Sequence, residues 1–288
     1  MGNDIASRQN EENSIRMLAA QRQIYSNIKN NNALTMLLSI GLPLLLYLLI
    51  SWKEKFYGID TNVACSFISI IASLIVLLLD FHNSNYVSKA AFIQQKFDLY
   101  VYGMSWNADM YGEDKNVNED IVEYSSRICE NSKERAKLLN WYVGEISTDN
   151  GYENIYKCQK QNFSWDYDLR NFYEKCCKII LTTIIVLLVL WGLFDNLYMR
   201  EWICVLSYYM PLIVSLISII IRIENDKSTL LSIKQTLDYK AKLSMHRLEL
   251  VQRDIYEHRK RCFLIPDRIY RFLKDKQEKK QKDMTLFR

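Results

Sequence analysis

The sequence predicts an all-α integral membrane protein with four transmembrane helices in two hairpins and a helical cytoplasmic domain. Three observations predict this class: four long charge-free runs, a short loop inside each pair of runs, and only 8 Gly and 3 Pro residues to interrupt helices in 288 residues. A bilayer core is crossed by about 20 apolar residues in a helix. The runs are residues 33–52, 61–79, 179–194 and 202–221.

The runs divide the chain into five predicted segments. These are an N-terminal amphipathic helix (1–32), hairpin 1 (33–80), an inserted helical domain (81–178), hairpin 2 (179–221) and a basic helical tail (222–288). Short loops place both hairpin tips on one side of the membrane. Because the tips hold three of the 37 Lys and Arg residues, the positive-inside rule predicts cytoplasmic termini and a cytoplasmic inserted domain.

Helical spacing and turn residues predict the elements outside the membrane. We expect the second run to continue as a helix through residues 83–107, followed by a polar turn at 108–118. Further along the chain we expect a helix at 119–143, a loop at 144–152, a helix at 153–178 that leads into the third run, and a tail helix at 224–262.

The sequence contains no pattern that favours catalysis or metal binding. Its histidines, His82, His246 and His258, lack metal-ligand spacing, and no nucleotide-binding loop or hydrolase motif is present. The seven cysteines suit small buried apolar positions in a reducing compartment. We therefore expect neither an enzyme nor a bound cofactor.

The stretch CQKQNFSWDYDLRNFY, residues 158–173, is the strongest candidate for a ligand site. On a helix its polar side chains share one face, where arginine can bind phosphate, amides can bind base edges and rings can stack on bases. The alternative is structural: Asp166 and Arg170 form an i,i+4 ion pair and the aromatic side chains belong to the core. The candidate residues are Gln159, Asn162, Trp165, Asp166 and Arg170.

Two predicted spans carry polar stripes. Small hydroxyl residues either allow close helix packing or line a wetted pore, and an ion pair between Asp80 and Arg222 at the cytoplasmic interface is a candidate latch for a closed state. The stripes contain Asn62, Ser66, Ser69, Ser73 and Asp80 on the second helix, and Ser207, Pro211, Ser215, Ser218 and Arg222 on the fourth.

The tail is basic, with 18 basic and 10 acidic residues in 222–288. Such a charge can attract anionic lipid or a nucleotide. It is equally typical of a solvated tail that obeys the positive-inside rule.

Five motifs occur in an order that resembles a known bacterial family. They are RQNEENSIRMLAAQRQIYSNIK from residue 8, IQQKFDLYVYGMSWN at 93–107, NWY at 140–142, CQKQNFSWDYDLRNFY at 158–173, and IPDRIY at 265–270 with Glu278 and Met284 downstream. This order, on a profile of four apolar runs, resembles the SMODS-associated four-transmembrane effectors, and it covers nearly the whole chain.

The resemblance implies an anti-phage death effector of the CBASS type. Such proteins are encoded beside cyclic-oligonucleotide synthases, and the messenger is expected to make the effector permeabilise the inner membrane so that infection is abortive. It implies a multi-pass homo-oligomer in the bacterial inner membrane, with the lipid bilayer and a cyclic di- or trinucleotide as partners and no DNA or RNA.

The resemblance also suggests a role for the opening stretch, residues 8–28. We expect a helix packed on the inserted domain through Ile15, Leu18, Ala19 and Tyr25. The alternative to this docked helix is an amphipathic helix that lies at the membrane interface. On the docked helix, five polar side chains would be available for ligand or for a neighbouring subunit, and three of them join the candidate ligand site. The five are Gln9 and Arg16 together with the candidates Arg8, Asn10 and Arg22.

Two other functions fit a four-span protein with a cytoplasmic domain. A membrane-anchored scaffold or sensor would recruit a protein partner without conducting ions. A small transporter would carry a substrate without killing the cell, although no charge lies at the centre of a predicted span.

Overall fold

The computed structural model describes residues 5–41, 45, 61–142, 151–194, 198–238, 243–270 and 272–273, and all regular structure in these residues is helical. The all-α prediction is confirmed for this part of the chain. In chain order the helices are α1 (Ile5–Arg8), α2 (Glu12–Met36), α3 (Thr61–Tyr102), α4 (Ala108–Tyr111), α5 (Asn118–Cys129), α6 (Ser132–Ala136), α7 (Gly151–Phe194), α8 (Met199–Leu237) and α9 (Met245–Arg261), with a π-helical turn at Leu37–Gly41 after α2.

Helices α2 and α3 form an antiparallel pair. The Asn31 amide donates to Asn83 over 3.1 Å where the pair approaches the apolar runs. At the opposite end the Tyr100 hydroxyl donates to Glu11. Helix α3 is continuous from the second apolar run to Tyr102, as the spacing after that run predicts.

Helices α7 and α8 form the second antiparallel pair. Tyr156 donates to Asp238 over 2.8 Å at one end, and Lys227 donates to Glu174 over 2.5 Å nearer the apolar runs. Helix α7 is one 44-residue element that includes the third run, in agreement with the predicted continuity. The sequence predicts hairpin tips at 53–60 and at about 195–201. The first tip and residues 195–197 of the second lie outside the described residues, and α8 already begins at Met199.

Most of the core lies around α2, α3 and α5. In α2 the apolar side chains fall every three or four residues, so one stripe faces the protein. Ile15, Leu18 and Ala19 are buried there, and the partly buried Tyr25 packs against the same core, as expected for a helix that docks on the inserted domain.

Helix α9 lies between the two helix pairs and contacts α3, α7 and α8. Its Leu248 and Tyr256 belong to the main core, whereas Val251 and Ile255 pack on α7 and α8 in a second cluster. Because these two pairs of side chains belong to different clusters, α9 joins two separate cores.

The predicted helix at 119–143 is interrupted, which corrects the sequence interpretation. Asn131 ends the first part because its side chain caps α6 by accepting from the N–H groups of Lys133 and Glu134 at 3.1 and 3.2 Å. The chain then leaves helical geometry before Asn140, whose φ is +51°. Short polar side chains compete with the backbone in this way and end helices.

The predicted polar turn at 108–118 and tail helix at 224–262 are also corrected. Residues of the turn form α4, which Asn107 caps by accepting from the Asp109 N–H at 3.0 Å. The tail helix divides into α8 and α9, because the Arg247 guanidinium donates to the last carbonyl groups of α8, on Thr236 and Leu237, at 2.9 and 2.6 Å.

Candidate functional site

The polar start of the chain binds the turn at residues 140–142. Asn10 and Asn140 exchange two hydrogen bonds of 2.9 Å, one to the Asn140 side chain and one from its backbone N–H. The Gln9 side chain accepts from the Tyr142 N–H at 2.8 Å. The Asn140 φ of +51° lies in the left-handed region that asparagine tolerates better than most residues. The opening motif therefore stabilises the turn formed by NWY.

The arginines predicted to be available near the N-terminus also have partners within the chain. Arg8 donates to the Val101 carbonyl at the end of α3 through two nitrogens, at 3.1 and 2.7 Å. Arg22 pairs with Glu134 at 3.0 Å. A ligand at either arginine would replace or share these contacts, and their ligand role stays a prediction.

A row of buried amides crosses the interface between α3, α9 and α7. Gln252 donates through Nε2 to Gln95 Oε1 at 2.8 Å and to Asp98 Oδ2 at 3.0 Å. Its Oε1 accepts from Gln159 Nε2 at 3.2 Å, and Gln159 also donates to the Leu248 carbonyl at 2.9 Å. We call Gln95, Gln252 and Gln159 the amide row.

The orientation of the amide row follows from Asp98. A carboxylate accepts hydrogen bonds and donates none, so Gln252 must turn its NH2 group towards Asp98. That choice fixes the orientation of both neighbouring amides. Among the described residues, Gln95 Nε2 and Gln159 Oε1 are then buried without a hydrogen-bond partner. An unsatisfied buried polar atom costs about 1–3 kcal/mol. The two unsatisfied atoms therefore lower the stability of the interface at the amide row.

Asp98 is the centre of the buried network. It is fully buried, and it accepts from the Tyr142 hydroxyl and from Arg259 Nη1, both at 2.6 Å. The Tyr142 hydroxyl accepts in turn from Tyr102 at 2.8 Å and from Asn162 at 3.2 Å. Burial, reinforced by the Asp98 charge, raises the pKa of Tyr142 well above its usual value. Tyr142 therefore stays a neutral donor.

Arg170 is the centre of a second network that joins α7, α8 and the chain after α9. Its side chain is 3 % exposed and lies 3.1 Å from Asp166 and 2.5 Å from Asp226. It also donates to the Phe263 carbonyl at 3.0 Å, while the Phe263 N–H donates to Asp226 at 2.9 Å. On the other side, His258 Nε2 lies 3.0 Å from Asp166.

The two carboxylates beside Arg170 differ in their acidity. Burial opposes ionisation of Asp166, but the Arg170 charge and the His258 hydrogen bond outweigh it and hold its pKa well below its usual value. Burial raises the pKa of Asp226, and the Arg170 charge offsets only part of that rise. The pKa of Asp226 is thus raised although its carboxylate lies closer to Arg170, at 2.5 Å against 3.1 Å for Asp166.

The residues of the predicted ligand face lie together on α7, and the structure shows features of both interpretations of this face. The i,i+4 pair of Asp166 and Arg170 forms as the structural alternative requires. Gln159 and Arg170 are buried, whereas Asn162, Trp165 and Asp166 are half-buried. The Trp165 ring packs edge-on to a second ring 5.5 Å away. Ligand binding at this face stays a prediction.

The polar stripes of the predicted spans are described only in part. Ser215 is half-buried, while Ser218 and Arg222 are exposed. The pore role of these residues and the proposed latch stay predictions. The side chains of Asn62, Ser66, Ser69, Ser73, Asp80, Ser207 and Pro211 lie outside the described residues.

Helix α7 carries the clearest signature of a membrane span. Among the described residues it is the one helix long and apolar enough to cross a bilayer, and only 11 % of its most apolar window is buried. Ile179, Leu193 and Phe194 are 66 %, 68 % and 80 % exposed. A helix in water would not leave such a surface uncovered, so the exposed turns fit a lipid environment.

An open cleft of about 280 Å³ lies beside the Arg170 network, between α8 and α9. Its lining is rich in carboxylates, and no His, Cys, Asp or Glu cluster in the described residues has metal-binding geometry. The lining residues are Asp226, Thr229, Ser232, Ile233, Asp254, Glu257, His258 and Arg261.

A long apolar helix that continues into a polar helical segment is typical of a helical membrane protein. Within that class, the chain matches the SMODS-associating 4TM effector domain over residues 3–285 and belongs to that family. The family resemblance predicted from the five motifs is therefore confirmed.

One similar relative is the "Probable CBASS effector molecule" of Bacillus cereus (strain VD146). It is 29 % identical over 197 residues, which cover 68 % of this chain and 65 % of the relative. The match thus spans slightly less than two thirds of the relative's length. No solved structure matches the chain.

Sequence reasoning did not single out the residues that hold the candidate face in place. Asp226 and Arg259 read as ordinary charges of a basic tail, and their buried partners are more than 50 positions away in sequence. A local signal did exist for Asp98: with Gln95 it forms a polar i,i+3 pair among apolar residues of one helix. Such a pair on a buried face indicates a polar network.

Proposed function

We propose that this chain is a non-enzymatic bacterial anti-phage effector that permeabilises the inner membrane when it binds a cyclic oligonucleotide, so that infection is abortive. Family membership and the similarity to a protein named as a CBASS effector support the class of function. The exposed apolar turns of α7 support a membrane location.

The observation that carries the mechanism is the continuity of α7. One helix holds the buried Arg170 at its polar end and the exposed apolar turns 179–194 at the other. Because an α-helix transmits displacement along its axis, a change at Arg170 moves the apolar segment. Regulation and membrane action are thus combined in a single rigid element.

We place the ligand on the half-buried face of α7. Asn162 and Trp165 would receive the base, and a phosphate would compete with Asp226 for Arg170. Asp166 lies one turn from Arg170 on the same helix, whereas Asp226 comes from α8, so Asp226 is the partner that an anion would displace. Gln159, Asp166, Arg8, Asn10 and Arg22 complete the proposed site.

The N-terminal residues reach this face through the NWY turn. Tyr142 connects them, since its N–H donates to Gln9 and its hydroxyl accepts from Asn162. A ligand that displaces Asn162 would therefore also disturb the hydrogen bond between Tyr142 and Gln9 in the opening motif. A ligand changes a conformational equilibrium only by binding one state better than the other, and here the favoured state is the one with Arg170 released from Asp226.

In the membrane we propose four spans per subunit, with both termini in the cytoplasm and several subunits around a pore. A single four-helix subunit is too small to enclose a wide channel, hence the homo-oligomer. The serines of the second and fourth predicted spans, Ser66, Ser69, Ser73, Ser215 and Ser218, would line the pore, and Asp80 and Arg222 would close it.

A potential-sensitive dye in living bacteria tests this function. Cells that carry the chain and an inducible cyclic-oligonucleotide synthase should depolarise after induction, whereas cells with an inactive synthase should not. Sustained polarisation with normal amounts of the protein in the membrane would favour the non-conducting scaffold instead.

The ligand assignment has its own variant test. Arg170→Ala should abolish depolarisation, but it also leaves two acidic partners without their cation. The double variant Arg170→Ala/Asp226→Asn also neutralises one of these two carboxylates. It therefore distinguishes loss of ligand binding from misfolding caused by unpaired buried charges. Depolarisation at the wild-type level in a well-expressed double variant would contradict the assignment.

A further inference from the structure

The chain around the end of α9 contacts every long helix of the described structure. It bridges the pair α2–α3 and the pair α7–α8 through charged or backbone groups. We call the four residues that do so the tail clamp. The contacts are Arg259 to Asp98 on α3 (2.6 Å), His258 to Asp166 on α7 (3.0 Å), the Phe263 N–H to Asp226 on α8 (2.9 Å) and Asp267 to Lys29 on α2 (2.5 Å).

The central contact of the tail clamp is buried on both sides. The Arg259 side chain is 11 % exposed and that of Asp98 is 0 % exposed. Separating a buried ion pair leaves charges without water or partner, so such a pair breaks only when the whole interface opens. The tail clamp therefore has two discrete positions, docked or withdrawn, with little stability in between.

The docked position also contains polar atoms whose burial is unfavourable. The amide row beneath α9 leaves Gln95 Nε2 and Gln159 Oε1 buried without partners. Withdrawal of α9 would return both atoms to water, and this gain opposes the loss of the ion pair. An interface with such opposing contributions is suited to switching by a modest ligand signal.

We propose that the tail clamp is an autoinhibitory device that holds the two helix pairs in the resting arrangement and that activation withdraws it. The proposal rests on the membrane-permeabilising function proposed above. An anion that takes Arg170 from Asp226 also removes the donor to the Phe263 carbonyl, because Arg170 Nη1 donates to both groups. Ligand binding and withdrawal of the tail are therefore linked through one guanidinium.

Cys262 reports the position of the tail clamp independently of membrane leakage. It follows α9 directly, and its Sγ lies 3.7 Å from the Arg259 carbonyl oxygen. Burial raises the pKa of its thiol to about 11. Since only the thiolate is alkylated, a return to the usual pKa of about 8.5 would raise the reactive fraction at pH 8 by about 200-fold.

The experiment uses the full chain in liposomes that contain a fluorescent dye. Arg259→Gln removes the central charge of the tail clamp. The matched control is Arg253→Gln on the same helix, because Arg253 pairs with its neighbour Asp254 at 2.8 Å within α9. Iodoacetamide labelling of Cys262 at pH 8 is measured by mass spectrometry, and dye release is measured without nucleotide and with a panel of cyclic di- and trinucleotides.

We expect Arg259→Gln to increase Cys262 labelling at least tenfold and to release dye without nucleotide, whereas Arg253→Gln should do neither. Unchanged labelling in Arg259→Gln would overturn the tail clamp. Faster labelling without dye release, in a preparation whose wild-type protein releases dye with a nucleotide, would also overturn it and leave the proposed function intact. Fast labelling with no release from any protein under any condition would overturn the proposed function itself.

A second variant does not disturb the buried pair. Lys29→Glu repels Asp267 at a partly exposed contact, so it weakens the tail clamp without leaving a buried charge. We expect severalfold faster Cys262 labelling and partial nucleotide-independent release, both reversed in the double variant Lys29→Glu/Asp267→Lys. Failure of the charge swap to restore slow labelling would contradict a docking role for this contact.

Discussion

Single buried side chains of this protein connect helices that are far apart in sequence. Asp98 is the best example, because one carboxylate on α3 accepts from Tyr142 in the NWY turn and from Gln252 and Arg259 on α9. Each donor is buried or nearly so. The residue is therefore worth more than a surface ion pair, which contributes at most about 1 kcal/mol.

Asp98→Leu should lower the free energy of unfolding by about 3–5 kcal/mol, because it leaves Arg259 as a buried unpaired charge. Gln95→Met is the matched control on the same helix face: it removes an unsatisfied atom along with one hydrogen bond, and we expect a change within about 1 kcal/mol. Denaturant unfolding in detergent, followed by circular dichroism, measures both. Equal losses in the two variants would contradict the central role of Asp98.

Asn140 illustrates a constraint of the backbone. Its φ of +51° strains a residue with a Cβ, while its N–H bond to Asn10 survives any substitution except proline. Asn140→Ala should therefore destabilise the protein more than Asn140→Gly, by about 1 kcal/mol. Thermal unfolding of the two variants provides the comparison, and a more stable alanine variant would contradict the assigned backbone geometry.

The lowered pKa of Asp166 predicts how the free energy of unfolding depends on pH. Its folded pKa lies below the usual value of 3.8, so its stabilising contribution is complete above that pH and is lost as the pH falls further. The stability difference between wild type and Asp166→Asn should accordingly be constant from neutral pH to about pH 5 and shrink in more acidic solution. Unfolding measured across this range checks the sign. A difference that grows on acidification would show that the pKa is raised instead.

At the scale of whole helices, periodicity and continuity were predictable, and helix ends were less so. The long helices α3 and α7 follow from uninterrupted helical spacing across the edges of the apolar runs. The break between α8 and α9 could not be foreseen, because it depends on where Arg247 places its guanidinium in three dimensions. Asn131 and Asn140 are of a residue type that favours turns, but the helical spacing of the residues around them predicted an uninterrupted helix.

Close packing between α7 and α8 depends on Gly192. A Cβ at this position would lie 2.4 Å from the Trp202 indole, whereas one at Gly41 would meet only an ordinary contact at 3.5 Å. Gly192→Ala should therefore lower the melting temperature, since such overpacking costs about 1–3 kcal/mol. Gly41→Ala is the control and should not lower it. A Gly192→Ala protein as stable as wild type would contradict the packing of this hairpin.

At the scale of the whole molecule, the class of protein could be predicted from the order of its apolar runs and motifs. The candidate face on α7 could also be predicted, because its residues are adjacent on one helix. Its surroundings could not: Asp226, His258 and Arg259 reach it from the tail, and only the folded chain shows that the tail returns between the two helix pairs. Local spacing contains no information on such contacts.

The central claim is that a cyclic oligonucleotide makes this protein permeabilise a membrane. The most direct measurement is dye release from liposomes that contain the purified chain, with cyclic di- and trinucleotides added one at a time. The account predicts release with one nucleotide, and loss of that release in Arg170→Ala combined with Asp226→Asn. No release with any of these nucleotides, from protein shown to be folded and correctly oriented, would contradict it.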